Sequence, residues 1–245
     1  MSNNVSLTLR YASRTDIGLR RQRNEDAVYA GPRLLAVADG MGGHSHGEVA
    51  SATVIAALSS LDSDPPGDDP LGSLESAITA AGHRLKDMAA RDPKLAGMGT
   101  TLTAMLWDAG RIALAHIGDS RAYMLRGGYL YQITRDHTLV QSLVDDGQMT
   151  PEQAAAHPRR SLLMRALGGS GSVEPDLSLR EAEAGDRYLI CSDGLSGVVG
   201  PKELHEILTA AGDLGEAAER LVELARQGGG PDNITCVVAE VLAEG

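Results

Sequence analysis

Phenylalanine is absent from these 245 residues, and with one Trp and six Tyr the aromatic share is only 3%. Leu, Ile, Val, Ala and Met must therefore fill any core. Cysteine is scarce as well. Cys191 and Cys236 both fall inside apolar strand-like runs, which reads as two buried thiols and excludes a disulfide framework. No apolar run approaches the ~18 residues of a membrane span, and no basic-then-apolar signal opens the chain. Positive charge is also short: 22 Lys and Arg stand against 33 Asp and Glu, a net charge of −11. Such a surface repels nucleic-acid and lipid phosphates, so neither partner is expected. With no interdomain linker and no internal repeat, residues 1–245 are expected to form one domain, long enough to bury a real core.

What is present is alternation of strand blocks with helix pairs. Strands are expected over 5–13, 26–31 and 34–38, then four more between Gly99 and Gln132, with turns at Ala109-Gly110, Asp119-Ser120 and Gly127-Gly128. Further strands are expected over 177–181, 187–191 and 234–241. A helix over 47–60 is predicted with Val49, Thr53 and Ala57 on one stripe. Leu71, Leu74, Ile78, Ala81, Leu85 and Met88 recur at spacings of three and four, the clearest helical period in the chain. Residues 62–69, holding Pro65 and Pro66, read as a loop. Helices are also expected over 138–146, 202–211 and 214–227, and 150–172 reads as a mixed excursion. Blocks of strands without strict βαβ order favour an α+β fold of antiparallel sheets with helices outside.

Four aspartates follow or precede apolar runs beside glycine or small polar residues: Asp39, Asp119, Asp193 and Asp232. Each alone reads as a turn or cap residue: Asp119 in a turn, Asp193 as a helix amino-cap, Asp232 after a helix end. Strands ending at one sheet edge would gather all four, and clustered carboxylates need protons or cations between them. Oxygen-only ligands point to Mg²⁺ or Mn²⁺. The flanking Gly40 lets a backbone carbonyl approach a metal closely. Upstream, 21–26 reads either as a solvated charge run or as a functional segment. In the second reading Glu25 or Asp26 serves a metal and an arginine grips a phosphate.

The segments Arg21-xxx-Glu25-Asp26, Asp39-Gly40-Met41-Gly42-Gly43, Gly97-Met98-Gly99-Thr100-Thr101, Gly118-Asp119-Ser120-Arg121, Ser192-Asp193-Gly194-Leu195 and Gly230-Pro231-Asp232-Asn233 occur in one order. Together they resemble the metal-dependent type 2C (PPM) Ser/Thr protein phosphatases, above all the bacterial, actinobacterial-like catalytic domains that oppose Ser/Thr protein kinases. The resemblance runs from about Leu7 to Val241. It implies a two-sheet antiparallel β-sandwich flanked by helix pairs in four αββα layers, with a flap subdomain over roughly 138–172. It implies two core Mn²⁺ or Mg²⁺ ions and a third site. Asp39, Asp193 and Asp232 would hold the first ion, and Asp39, the Gly40 carbonyl and, through water, Glu25 the second. Asp119 with Asp193 would hold the third, and Arg21 would bind the substrate phosphate. A metal-bridging hydroxide would attack phosphorus in line, releasing phosphate from phosphoserine and phosphothreonine proteins.

Two positions depart from that pattern. Met41 stands where eukaryotic members carry a histidine that can act as general acid, which leaves His44 or His46 as substitutes, against the plainer reading of exposed loop histidines. Gly197 stands where many relatives carry an aspartate, which weakens the expected third site. His116 is expected to be a packed or hydrogen-bonded core residue. The alternatives are a catalytically weak regulatory domain of the same fold, a phosphatase of a phosphorylated anti-anti-sigma partner, and an unrelated two-metal nuclease. All four aspartates and Arg21 are retained, which speaks against the first; Arg21 itself speaks against the second and the acidic balance against the third. A cytoplasmic monomer is expected, either as this chain or as the cytoplasmic catalytic part of a longer membrane-anchored protein.

Overall fold

The computed structural model of the chain describes residues 6–42, 46–63, 67–108, 110–168 and 174–244. Val5, Gly43, His44, Pro65, Pro66, Ala109 and the tract 169–172 lie outside them. In chain order, the described residues form β1 (Leu7–Asp16), β2 (Asp26–Ala30), β3 (Leu34–Met41), α1 (Gly47–Leu58), α2 (Ser60–Ser63) and α3 (Pro70–Arg91). Then come β4 (Gly99–Thr100), β5 (Leu102–Asp108), β6 (Arg111–Ile117), β7 (Arg121–Arg126) and β8 (Tyr129–Gln132), followed by α4 (Leu139–Asp145), α5 (Pro151–Ala155) and β9 (Leu167–Gly168). The last third holds β10 (Asp176–Glu181), β11 (Arg187–Cys191), α6 (Asp193–Ser196), α7 (Pro201–Ala210), α8 (Leu214–Gln227) and β12 (Ile234–Ala243).

Two antiparallel sheets result, ordered β1-β12-β11-β7-β8 and β10-β6-β5-β3-β4-β9, with β2 also on β3. Strand alternation gives each sheet two apolar faces. Leu35, Val37, Met105, Leu114, Tyr188, Ile190 and Val237 pack between the sheets. Leu34, Ala36, Leu102 and Leu106 of the second sheet pack against Val54 of α1 and Leu74, Ile78 and Leu85 of α3. Leu189, Cys191 and Val238 of the first sheet pack against Leu204 of α7 and Leu221 of α8. The order is helices, sheet, sheet, helices. No helix among the described residues is long and apolar enough to cross a membrane.

Local sequence explains most element ends. Asp69 caps α3 by accepting the Gly72 N–H at 2.9 Å, with Pro70 opening the helix. The run 234–241 is apolar because β12 lies between β1 and β11 and is covered on both faces; its Glu240 is tied to Arg10 and Arg187. Three expectations change. β3 runs on to Met41 because β4 pairs with its end, Gly40 opposite Thr100 and Met41 opposite Gly99. The expected single strand after Gly99 is two, because Thr101 takes its hydrogen bonds from Asp39: its N–H donates to Asp39 O at 2.9 Å and its Oγ1 accepts the Asp39 N–H at 2.9 Å. On α1 the buried stripe is Ala50, Val54 and Leu58, not Val49, Thr53 and Ala57. An Ala-rich helix that is apolar on every side has no face that sequence can single out.

Candidate active site

All four strand-edge aspartates arrive at one end of the sandwich. Asp39 sits near the end of β3, Asp119 in the turn after β6, Asp193 at the start of α6 directly after β11, and Asp232 just before β12. Asp119, Asp193 and Asp232 line one cleft of about 390 Å³, together with Asp136, Thr138 and Gln141. Close approaches explain the neighbouring glycines. A Cβ on Gly194 would stand 1.9 Å from the Asn233 carbonyl oxygen, so only glycine lets the Asp193 turn pack on the Asp232 turn. On Gly40 it would stand 2.2 Å from the Gly47 carbonyl oxygen, where α1 begins.

Sequence reasoning gave Asp26 too little weight. It pairs with Asp39 across β2 and β3, its Oδ2 accepts the Ser192 hydroxyl at 2.8 Å, and its Oδ1 is buried without a partner. The available signal was its position, next to Glu25 at the start of a strand that must pair with the Asp39 strand. Asn233 was missed as well. Buried, it accepts the Glu25 N–H at 2.8 Å and donates to the carbonyls of Ile17 at 2.9 Å and Arg23 at 2.8 Å. One side chain thus ties the 21–25 segment to the Asp232 turn. Thr101, which is hydrogen-bonded to the Asp39 backbone, shares a hydrogen bond of 2.8 Å between its Oγ1 and Ser120 Oγ in the turn that carries Asp119.

The electrostatics are those of crowded like charge. Burial, then Asp26, Asp193, Asp119 and Asp232, push the Asp39 carboxyl well above the usual carboxylate range. Burial, then Asp193 and Asp136, push Asp119 up to about 8. Asp26 is pushed up to about 6 by burial, against the opposing pull of the Ser192 hydroxyl that it accepts and of the nearby Thr235. Asp193 is raised by burial and by Asp232, and its Oδ1 is buried with no partner. Glu25, at the rim, is raised by burial against the opposing field of Arg21. Arg21 donates to Asp232 Oδ2 at 2.6 Å and is half-exposed. Among the described residues no three His, Cys, Asp or Glu side chains already stand at a spacing that would grip an ion. The donor set nevertheless fits a hard divalent cation: it is all oxygen, it is net negative, and two buried carboxylate oxygens have no partner.

The remaining candidates separate clearly. His46 directly precedes α1 and makes no side-chain cap. Met41 ends β3. Gly197 lines the cleft with Asp119 and Asp193, so the carboxylate missing there is missing beside them. His116 is a core residue as expected, within hydrogen-bond reach of Thr103 Oγ1 at 3.0 Å and Arg135 O at 3.0 Å. Burial and neighbouring His137 lower it to about 4, so it is neutral at pH 7 with one proton for the two contacts.

Residues 19–227 match the family described as Protein phosphatase 2C, a span that holds Arg21, Glu25, Asp39, Asp119 and Asp193. The chain belongs to the protein phosphatase 2C family. It is 58% identical over 238 residues to the serine/threonine protein phosphatase PstP of Mycobacterium tuberculosis, a match covering 97% of this chain and 46% of that protein. The chain thus spans about half the length of that relative. A crystal structure of the M. tuberculosis phosphatase superposes with a TM-score of 0.93 at 57% identity, covering 97% of this chain and 100% of the other. A structure of the PstP catalytic domain in complex with two manganese ions superposes at 0.91 with 56% identity and the same coverage. The two-sheet sandwich of this chain is therefore the 2C phosphatase fold.

Proposed function

We propose that this chain is a metal-dependent protein phosphatase that hydrolyses phosphoserine and phosphothreonine in proteins. The observation that carries the reading is the cluster of Asp26, Asp39, Asp119 and Asp193, buried together with no ion pair to an Arg, Lys or His among the described residues. Asp39, Asp193 and Asp232 would hold one Mn²⁺ or Mg²⁺, and Asp39, the Gly40 carbonyl and, through water, Glu25 a second. Asp119 and Asp193 would hold a third, less tightly for want of a carboxylate at Gly197. Such ions lower the pKa of bound water and offset charge on a phosphoryl group. The rest falls to the chain. Asp26 lies opposite Asp39 across the β2–β3 pair, and its like charge helps hold the Asp39 carboxyl above the usual range. Asn233 fixes the 21–25 segment so that Arg21 stands at the mouth beside Asp232. From there the planar guanidinium fork can take two oxygens of a substrate phosphate.

Access to the cleft runs past α4 and α5: Val140, Val144, Ala154 and Ala155 line it. We assign residues 138–172 as a flap within one catalytic domain spanning 1–245. A thioether cannot donate a proton, so with Met41 in place the leaving alkoxide draws its proton from His44, His46 or solvent. A cytoplasmic monomer acting against a Ser/Thr protein kinase completes the reading. Retention of all four aspartates with Arg21 sets aside a catalytically weak regulatory domain, and Arg21 sets aside a dedicated anti-anti-sigma phosphatase.

The test is phosphate release with Mn²⁺ from a phosphothreonine peptide and from an aryl phosphate. Both should be hydrolysed, and chelation should stop both. An aryl leaving group needs little protonation, so a rate ratio that shifts in His46→Ala marks that residue as the acid. Hydrolysis of neither substrate would leave the inactive-domain reading in its place.

A further inference from the structure

A second cleft opens where the two sheets part, at the edge formed by β8 and β10. Its volume is about 670 Å³, within the range of ligand sites, and none of the clustered carboxylates lines it. Register explains its character. On β10, Ser178 pairs with Leu114 and Arg180 with Ile112, and both partners face the layer between the sheets. Across the gap, Tyr131 of β8 pairs with Met124, also of that layer. The sandwich is therefore polar on one lip and aromatic on the other, over an apolar floor of Leu114, Met124 and Ile133. Tyr129 is 69% and Tyr131 48% exposed, unusual for large rings in a chain that has few.

The charges in this cleft are matched except for one. Arg126 is held by Asp186 and Glu183, Arg135 by Asp145, and Asp176 by Arg165 and His137. Arg180 has no ion pair among the described residues, and its Nε is buried without a hydrogen-bond partner. β8 and β10 are the terminal strands of their sheets, so each has one backbone edge with no strand partner among the described residues. A half-buried guanidinium whose Nε is buried without a partner, set between two strand edges, asks for a carboxylate carried on an extended chain. We propose that this cleft binds an extended acidic segment of a partner protein, with one carboxylate on Arg180 and apolar side chains on Leu114, Met124 and Ile133. The segment adds to a sheet edge through its backbone, and Arg180 selects its charge. This stands independently of the phosphatase reading, because binding is read without catalysis.

The probe is a fluorescently labelled peptide of alternating Glu and Val, with a Lys-Val counterpart as control. Anisotropy should show saturable binding of the acidic peptide and none of the basic one. Arg180→Glu should weaken it roughly tenfold or more, Arg180→Gln less, and Tyr131→Ser measurably. Hydrogen exchange should slow in β8 and β10 on binding. Aryl phosphate hydrolysis should be unchanged in all three variants, since none touches the carboxylate cleft, and that also shows that they fold. Absence of binding, equal binding of both peptides, undiminished binding to Arg180→Glu, or protection elsewhere would each overturn the proposal.

Discussion

Arg121 and Asp136 close a two-pronged ion pair, Nε to Oδ1 at 2.9 Å and Nη2 to Oδ2 at 2.7 Å. Beside them, Asp26, Asp39, Asp119 and Asp193 crowd together with no such partner among the described residues. Both groups are largely buried, and both lie at the same end of the sandwich. The paired group is what a fold does when it buries charge for its own sake: each charge meets its complement. The unpaired group destabilises the metal-free fold, so its retention points to chemistry. The same contrast marks the second cleft, where Arg180 alone among the named charges lacks a partner.

The sharpest break in this comparison is mutational. Asp39→Asn and Asp193→Asn should each lower phosphate release by on the order of 100- to 1000-fold, the size seen when one electrostatic stabiliser is removed. Their melting temperatures in chelator should stay level or rise. Asp136→Ala should do the reverse to stability. It strands Arg121 without its partner, at a cost of about 3–5 kcal/mol measured by denaturant unfolding.

Titration separates the groups next. A carboxyl whose folded pKa is raised binds more protons folded than unfolded, so its contribution declines as pH rises through that interval. For Asp119 the interval runs from 3.8 up to about 8, and for Asp26 from 3.8 up to about 6. Melting of chelated protein across that range should show wild type losing ground to Asp119→Asn as pH rises. A gap that stays constant would mean that Asp119 is not strained by its neighbours. The smallest effect belongs to surface pairs such as Arg14 with Glu219, 2.9 Å apart and well exposed. Glu219→Gln should cost about 0.2–1 kcal/mol by denaturant unfolding.

Much of this was legible because it is local. The α3 stripe, the buried thiols and the aspartate at each strand edge follow from period and neighbours. What was not legible depends on pairing between distant segments. Asp26 joins the cluster only because β2 lies against β3, and β3 reaches Met41 only because β4 joins it. The stripe on α1 is set by the sheet it covers, since its own composition is apolar all round. Arg180 lies in the strand expected over 177–181, where nothing local singles it out. Only the sheet order, which leaves β10 and β8 at the two edges, makes it the unpaired cation of a cleft.

The most direct test of the central claim is a calorimetric Mn²⁺ titration of chelator-treated protein, run beside Asp39→Asn. Wild type should bind the ion with release of protons, because the raised carboxyls must give theirs up, and Asp39→Asn should lose most of that binding. Absence of binding by wild type, or equal binding by the variant, would contradict the account.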